Sequence, residues 1–279
     1  MKKTLMALFM LLGAAAGNAY AIPVEFDVVD LFNWGRLYSY DGASYTPTNV
    51  NPFDGSAGSV IPQNTVGNAD GSEDSWGIAQ IDQVQPIGGG PLFFDKELDP
   101  YELSIFFYGF DDDTLTSPDF LGDVTIGTVG GRVQIYQDFS QDYDPSLGTG
   151  GRTGVDSYTT ATNGTLVLDL TPVAQNAAGH TLKEDFNFMT LVGSGSVFLE
   201  TTGAGAWDSL FDTNTQLFGS DFSFSFTSRN NINPRIGDWT VRGDGRAEGN
   251  VIPEPASMFL MGSGLIGMLG ARSRKRKLA

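Results

Sequence analysis

The sequence predicts an all-β protein whose central body, residues 22–250, is a β-sandwich or a jelly-roll-like domain. Helical periodicity is almost absent from this body, and short runs rich in β-branched and aromatic residues are separated by Gly, Asn, Asp and Pro. The 36 glycines of the chain suit many tight turns. Because no linker divides these runs, we expect one antiparallel domain, although a body of this length could hold two.

The clearest strand lies at residues 222–227, where phenylalanine alternates with a polar residue. This period of two indicates a strand with one buried face and one solvated face. Residues 41–74 are rich in Gly, Ser, Asn and Pro and predict a long loop or a weakly ordered insertion. The aromatic side chains that we expect in the core are Phe222, Phe224, Phe226, Trp76, Trp207 and Trp239. The predicted strands are 76–84, 103–110, 132–136, 165–170, 186–192, 197–200, 222–227 and 238–242.

The N-terminus carries the three parts of a Sec-type signal peptide. Lys2 and Lys3 precede an apolar run over residues 5–16, and small residues follow up to the triplet Ala19-Tyr20-Ala21. An Ala-x-Ala site after a short apolar run is typical of signal peptidase cleavage. We therefore expect residues 1–21 to direct export through the Sec translocon, with cleavage after Ala21.

The C-terminus, residues 251–279, combines a proline-rich motif, an apolar stretch and a basic tail. Pro253 and Pro255 flank Glu254 and favour an extended backbone that a protease can reach. The apolar stretch 256–271 predicts a short transmembrane helix of about 24 Å, less than the roughly 30 Å of a bilayer core. By the positive-inside rule the basic tail, residues 272–277, stays cytoplasmic and the body lies on the opposite side. The basic residues of this tail are Arg272, Arg274, Lys275, Arg276 and Lys277.

This order of Pro-Glu-Pro, hydrophobic helix and basic terminus resembles the PEP-CTERM sorting signal of Gram-negative bacteria. The resemblance implies a precursor anchored in the inner membrane, with its body in the periplasm, that an exosortase recognises and cleaves near the motif. It further implies association with exopolysaccharide and display on the cell surface or in the extracellular matrix. The body also looks like a recurrent type of PEP-CTERM protein, some members of which are named for flocculation and biofilm formation. The residues that carry this second resemblance lie at 73–78, 107–109, 195–200 and 211–215.

Charge and cysteine content exclude several classes of function. The chain has 16 basic and 33 acidic residues and a net charge of −17. Nine of the basic and 32 of the acidic residues lie in the body, whose net charge is therefore −23. Such an acidic body argues against nucleic acid as a partner, and the absence of cysteine excludes disulfides and thiolate metal sites.

The body lacks a recognisable catalytic motif. Its one histidine, His180, reads as a solvated turn residue, and no Gly-x-Ser-x-Gly sequence occurs. The glycines of residues 148–154 have the wrong spacing for a dinucleotide or phosphate loop and predict a flexible hairpin tip. Glycoside hydrolysis by a pair of carboxylates stays an alternative, but among so many acidic residues no pair stands out. We expect a protein that is not an enzyme.

The best candidate site is a calcium loop at Asp111, Asp113 and Asp119. These carboxylates follow one predicted strand and precede another, and Ca²⁺ takes six to eight oxygen ligands. The spacing departs from the EF-hand, because Leu115 stands at the fifth position, but it is similar to the third calcium loop of C2 domains. The alternative is that these acids only keep an exported domain soluble. A second acidic cluster follows at Asp138, Asp142 and Asp144.

The combined expectation is an exported, exosortase-processed, non-enzymatic protein of the surface or matrix that takes part in exopolysaccharide, biofilm or floc formation. The first alternative is a carbohydrate-binding module, with or without calcium, that uses Trp34, Trp76 or Trp207 as sugar platforms. The second alternative, ranked lowest, is a secreted polysaccharide hydrolase.

Overall fold

A computed structural model describes residues 21–48, 75–150, 158–230 and 237–252. The chain divides into two units, residues 23–250 and residues 1–22 together with 251–279. The described residues contain twelve strands and two one-turn helices. The strands are β1 (Ile22–Gly35), β2 (Tyr38–Tyr40), β3 (Tyr45–Pro47), β4 (Ser75–Pro86), β5 (Phe94–Asp95), β6 (Glu102–Leu115), β7 (Asp123–Asp138), β8 (Thr165–Pro172), β9 (Leu182–Asn187), β10 (Val192–Thr201), β11 (Phe222–Asn230) and β12 (Val241–Val251); the helices are α1 (Thr159–Thr162) and α2 (Asp208–Phe211).

Eight of these strands form a closed antiparallel barrel. The order around the wall is β1, β4, β6, β7, β8, β10, β11 and β12, and β12 lies again beside β1. Strands β8 and β9 share the gap between β7 and β10, one after the other along its length. Strand β5 pairs with β4, and β2 and β3 form a separate two-stranded sheet.

The all-β prediction is confirmed, but the prediction of a β-sandwich or jelly roll is wrong. A sandwich has two separate sheets with the core between them, whereas here one continuous sheet closes on itself through the pairing of β1 with both β4 and β12. Consecutive barrel strands are neighbours, so no strand crosses from one sheet to another. The period-two pattern does not separate the two folds, because the wall of a barrel also has one inward and one outward face.

Irregular pairing bends the strands so that the sheet can close. The pairing of β1 with β4 shifts between Asp27 and Val28 and again between Val29 and Phe32, where Asp30 has a φ of 47°. The pairing of β6 with β7 shifts between Asp112 and Thr114. Extra residues of this kind increase the local twist and kink a strand, which is how barrels turn their corners.

A core of buried aromatic side chains lies on the outer face of the barrel wall. Trp76 and Trp239 are both fully buried, and their ring centroids are 5.0 Å apart. Trp239 Nε1 donates a hydrogen bond of 2.8 Å to the carbonyl of Pro145, so the segment before α1 covers this face. The predicted core positions of Trp76 and Trp239 are confirmed, and Trp207 is half-buried.

The described residues include no helix with the length and hydropathy needed to cross a membrane. The predicted transmembrane helix at 256–271, the Pro-Glu-Pro motif and the basic tail lie outside the described residues, as does most of the predicted signal peptide, including Ala19. Ala21 is the first residue that the structure describes.

Candidate functional site

The interior of the barrel contains a cavity of about 230 Å³. Inward side chains of most wall strands line it, and the majority are apolar, among them Phe107, Leu182, Phe224 and Phe226. Barrels of eight strands either fill their interior with side chains or hold one small molecule. The size of this cavity exceeds the roughly 150 Å³ of an engineered apolar cavity that binds benzene.

Several inward residues are only partly buried because they border this cavity. Leu182, Phe224 and Phe226 face inward yet remain partly accessible, whereas Phe222 is 2% exposed. The predicted core position of Phe222 is therefore confirmed, and its two partners belong to the cavity wall. Phe188 also lines the cavity and is 38% exposed, which marks where the cavity meets solvent.

Glycines on the neighbouring strand make room for these rings. Phe222 pairs with Gly249 and Phe226 pairs with Gly245 across β11 and β12. A Cβ atom at Gly249 would lie 2.7 Å from the ring of Phe222, closer than real side chains approach. Any larger residue at Gly249 would therefore force the ring of Phe222 to move.

Four polar side chains, the lumen polar cluster, line one part of the same cavity: Asp112, Thr128, Glu184 and Ser228. Asp112 lies opposite Thr128 in the pairing of β6 with β7, and Ser228 Oγ donates a hydrogen bond to Glu184 Oε1. Burial raises the pKa of Glu184 above its ordinary value of 4.5, and the charge of Asp185 raises it further against the hydrogen bond from Ser228.

One atom of this cluster has no hydrogen-bond partner. The hydroxyl of Thr128 is buried, with 4% of the residue exposed, and no group in the described part of the chain lies within hydrogen-bond geometry of it. The same holds for Oδ1 of Asn33, which also lines the cavity. Because buried polar atoms in folded proteins nearly always have a partner, these two atoms indicate where a bound molecule would make hydrogen bonds.

The predicted calcium residues have other roles in the structure. Asp111 and Asp113 belong to β6, which runs on to Leu115, and not to a loop. Asp113 Oδ2 lies 2.8 Å from His180 Nε2. Asp119 Oδ1 accepts hydrogen bonds from the backbone N–H groups of Leu121 at 2.8 Å and Asp123 at 3.0 Å. Calcium binding by Asp111, Asp113 and Asp119 stays a prediction.

Three side chains lie within hydrogen-bond distance of the His180 ring: Asn176, Asp113 and Thr114. Asn176 Oδ1 accepts from two backbone N–H groups, so its amide nitrogen faces His180 Nδ1 at 3.0 Å and must donate to it. The ring proton is then on Nε2, which donates to Asp113. His180 lies in the connection between β8 and β9, as expected of a turn residue, but its imidazole is only 16% exposed and is less solvated than expected.

A different group of carboxylates comes together at the far end of the β6–β7 pair. Ligand oxygens of Glu102, Asp138 and Asp142 all lie within 4.8 Å of one another, which is the one such group of three within the described ranges. Glu102 and Asp138 are buried and Asp142 is exposed. Along the sequence, Asp144 lies in the same acidic cluster as Asp138 and Asp142. In the structure, however, Asp144 Oδ1 accepts a hydrogen bond from the backbone N–H of Ser146 and caps a turn there.

Hydrogen bonds and burial define the chemistry of this carboxylate cluster. Glu102 accepts from Gln80 Nε2 at 2.7 Å and from Tyr143 N at 2.8 Å. Burial raises the pKa of Glu102 above its ordinary value of 4.5, and the charges of Asp138 and Asp142 also raise it. Asp138 Oδ1 accepts from Ser140 N at 2.9 Å, while Oδ2 is buried and has no partner among the residues described. Such oxygens suit a hard cation.

Two of the three predicted sugar platforms are not accessible. Trp34 is 4% exposed and Trp76 is fully buried, both within the aromatic core outside the barrel wall. A ring that stacks on a sugar needs a free face, which these two residues do not have. Trp207, half-buried at the start of α2, is the one of the three that retains accessible surface.

Comparison with known proteins identifies the C-terminal segment. The family described as the PEP-CTERM protein-sorting motif matches residues 251–276, which include Pro253, Glu254 and Pro255 and most of the basic tail. No curated protein and no solved structure matches the chain. The motif implies export and a membrane-anchored precursor that is processed by an exosortase in Gram-negative bacteria. Residues 251–276 of the chain therefore carry a PEP-CTERM protein-sorting motif.

Proposed function

We propose that this protein is a non-enzymatic component of the cell surface or of the exopolysaccharide matrix, where it contributes to biofilm or floc formation. The observation that carries the proposal is the sorting motif at residues 251–276. The predicted signal peptide at the other end of the chain supports the same route out of the cell. The resemblance of the body to flocculation-associated PEP-CTERM proteins is the basis for the matrix role.

The geometry of the body supports a role without catalysis. His180 Nε2 lies 2.8 Å from Asp113 and Nδ1 lies 3.0 Å from Asn176, so both ring nitrogens already have hydrogen-bond partners among the described residues. A polysaccharide hydrolase would instead need two carboxyl groups, one as general acid and the other as general base or nucleophile. Turnover of a polysaccharide by the purified protein would contradict the non-enzymatic proposal.

Replacing Pro253, Glu254 and Pro255 by alanine tests the sorting route in the native cells. The changed motif should leave the tail uncleaved, because the exosortase no longer recognises it, and surface delivery should fall. Mass spectrometry of the mature C-terminus reports both cleavage and any group attached there. Glu248→Ala, a change of an exposed residue upstream of the motif, is the matched control.

Unchanged processing and surface delivery in the triple variant would refute the sorting route. The matrix role has a separate readout, since cells that lack the protein should form less biofilm or fewer flocs. Normal biofilm in such cells would contradict the matrix role and leave the sorting route intact.

A calcium-dependent carbohydrate-binding role is the second candidate, and the carboxylate cluster favours it. Glu102 and Asp138 would supply buried oxygens, and the unpartnered Oδ2 of Asp138 gives the cation a ligand that nothing described here already uses. Asp142 is exposed, so a cation held there would keep coordination positions open to polysaccharide hydroxyls.

A further inference from the structure

We propose that the barrel cavity binds a small amphiphile, whose apolar part lies among the phenylalanine rings and whose polar end donates hydrogen bonds to the lumen polar cluster. This inference does not depend on the sorting signal, because every residue that carries it lies in a strand of the barrel sheet or in the turn between β9 and β10. The site is unrelated to the carboxylate cluster, which lies outside the cavity lining.

The apolar part of the cavity argues for an apolar ligand. Protein interiors are normally packed as densely as organic crystals, and voids larger than a water molecule are few. Here Phe224, Phe226 and Leu182 border about 230 Å³ of unfilled space. Apolar cavities do not hold ordered water well and accept apolar molecules, so the space favours a hydrocarbon chain or ring over solvent.

The polar part of the cavity sets the chemistry of the other end of the ligand. Thr128 Oγ1 and Asn33 Oδ1 lack hydrogen-bond partners among the residues that the structure describes, and the Asn33 atom is an acceptor only. Asp112 and Glu184 add two carboxyl groups to the same cavity. A ligand end that donates hydrogen bonds, an alcohol or an amine, satisfies these atoms. Arg36 lines the same cavity, so the lining carries two acidic groups against one basic group, and a carboxylate end matches it less well than a donor end.

Access to the cavity is available from one side. Phe188 lines the cavity and is 38% exposed, so its ring stands at the rim. The next inward residue of the same hairpin, Phe186, is partly accessible, and its ring meets that of Phe188 edge-on at 5.5 Å between centroids. Two aromatic rings at an opening give an apolar molecule a surface to contact before it enters.

The test uses the protein purified from cells that express the full chain. The neutral fluorescent probe N-phenyl-1-naphthylamine should bind and gain fluorescence, and ligands with the same ten-carbon chain should displace it. The four ligands are 1-decanol, decylamine, decanoate and decane. We expect decanol or decylamine to bind at least about tenfold more tightly than decanoate, since one well-placed hydrogen bond is worth about that factor.

Variants locate the binding inside the barrel. Ala247 lines the cavity, and Ala247→Phe should abolish binding because the ring occupies the space. The control is Ser225→Phe, which places the same ring on the exposed outer face of the neighbouring strand and should leave binding unchanged. Thr128→Val keeps the shape of the side chain and should weaken decanol and decylamine about tenfold while leaving decane unaffected.

The outcomes separate the two ligand chemistries and allow refutation. If decylamine binds more tightly than decanol and this preference disappears in Glu184→Gln, the polar end is assigned as an amine. If decanol binds as tightly as decylamine, the polar end is assigned as a hydroxyl. Either result supports the site. The proposal is overturned if no ligand displaces the probe, if decanoate binds as tightly as decanol and decylamine, or if Thr128→Val changes nothing. Thr128→Val settles the question even where Ala247→Phe fails to fold.

Discussion

At the scale of single residues, a buried carboxylate organises the chain around the end of α2. Asp221 is fully buried, and its Oδ2 accepts from both N and Oγ1 of Thr201 at 2.9 Å. Its Oδ1 accepts from the backbone N–H groups of Thr213 at 2.6 Å and Asn214 at 2.7 Å. Four donors compensate for the loss of water around the charge and fix the loop after α2 to the end of β10.

Asp221→Ala should therefore destabilise the protein by about 3 kcal/mol or more, because several buried donors lose their partner at once. Urea unfolding of the purified protein measures the change. Asp212→Ala, at an exposed position of the same loop, should cost much less. Equal losses in the two variants would show that the hydrogen bonds to Asp221 do not matter.

Glu184 gives a pH dependence with a defined sign. Its pKa is raised above 4.5 in the folded protein, chiefly by burial. Its contribution to stability is therefore fully present below about pH 4.5 and is lost as the pH rises through the raised value. Glu184→Gln should remove this loss, so the variant gains stability relative to the wild type as the pH rises above about 4.5.

Urea unfolding at several pH values measures the difference between Glu184→Gln and the wild type. Only this difference is informative, because other groups also titrate and change the stability of both proteins. One of them is Asp169: burial acts to raise its pKa, but hydrogen bonds from Arg132 and Thr202 lower it below the ordinary value. A difference that stays constant with pH would contradict the assignment. Glu248→Gln, on the outer face of β12, is the control.

At the scale of elements, inward apolar side chains made many strands predictable, but no predicted strand covers β1, where the buried Val24, Phe26 and Val28 alternate just as regularly. Six of the predicted strands lie within observed ones, for example 103–110 within β6. The run 186–192 was wrong as one strand, because it spans the turn between β9 and β10. Strand β12 was largely missed, since its inward positions include Gly243, Gly245 and Gly249 and show no apolar alternation. Their function depends on rings from β11, which a local pattern does not reveal.

The candidate sites could be predicted only in part for a related reason. The sequence located acidic residues correctly, but the pairing of Glu102 with Asp138 joins residues from the two distant ends of β6 and β7. The run Asp111–Asp113, predicted as a loop, continues β6 because its partners on β7 extend the ladder to Ile126. Register between strands, and not spacing along the chain, brought the carboxylates together.

Calcium should raise the melting temperature through this carboxylate cluster. With an affinity near 1 mM, typical of weak extracellular sites, about 10 mM Ca²⁺ would raise it by about 3 °C or more. Asp138→Asn should abolish the shift, whereas Asp113→Asn and Asp119→Asn should preserve it. The opposite pattern would favour the loop that the sequence predicted, and no shift in the wild type would argue against both sites.

At the scale of the whole molecule, closure of the sheet created the cavity. The alternation of Phe222, Phe224 and Phe226 predicts an inward face equally well for a sandwich and for a barrel. The difference arises from the pairing of the first strand with the last, a contact between residues that are more than 200 positions apart in the chain. The volume inside depends on the number of strands that close the wall, which no local pattern encodes.

Closure also limits how copies of this protein can join one another. The eight wall strands each have a neighbour on both sides, so none offers a free row of backbone N–H and C=O groups to another copy. Growth of a fibre by adding strand to strand has no starting edge on this wall. Cohesion in a matrix would instead fall to side chains and ions on an acidic surface, contacts that form and break without unfolding the barrel.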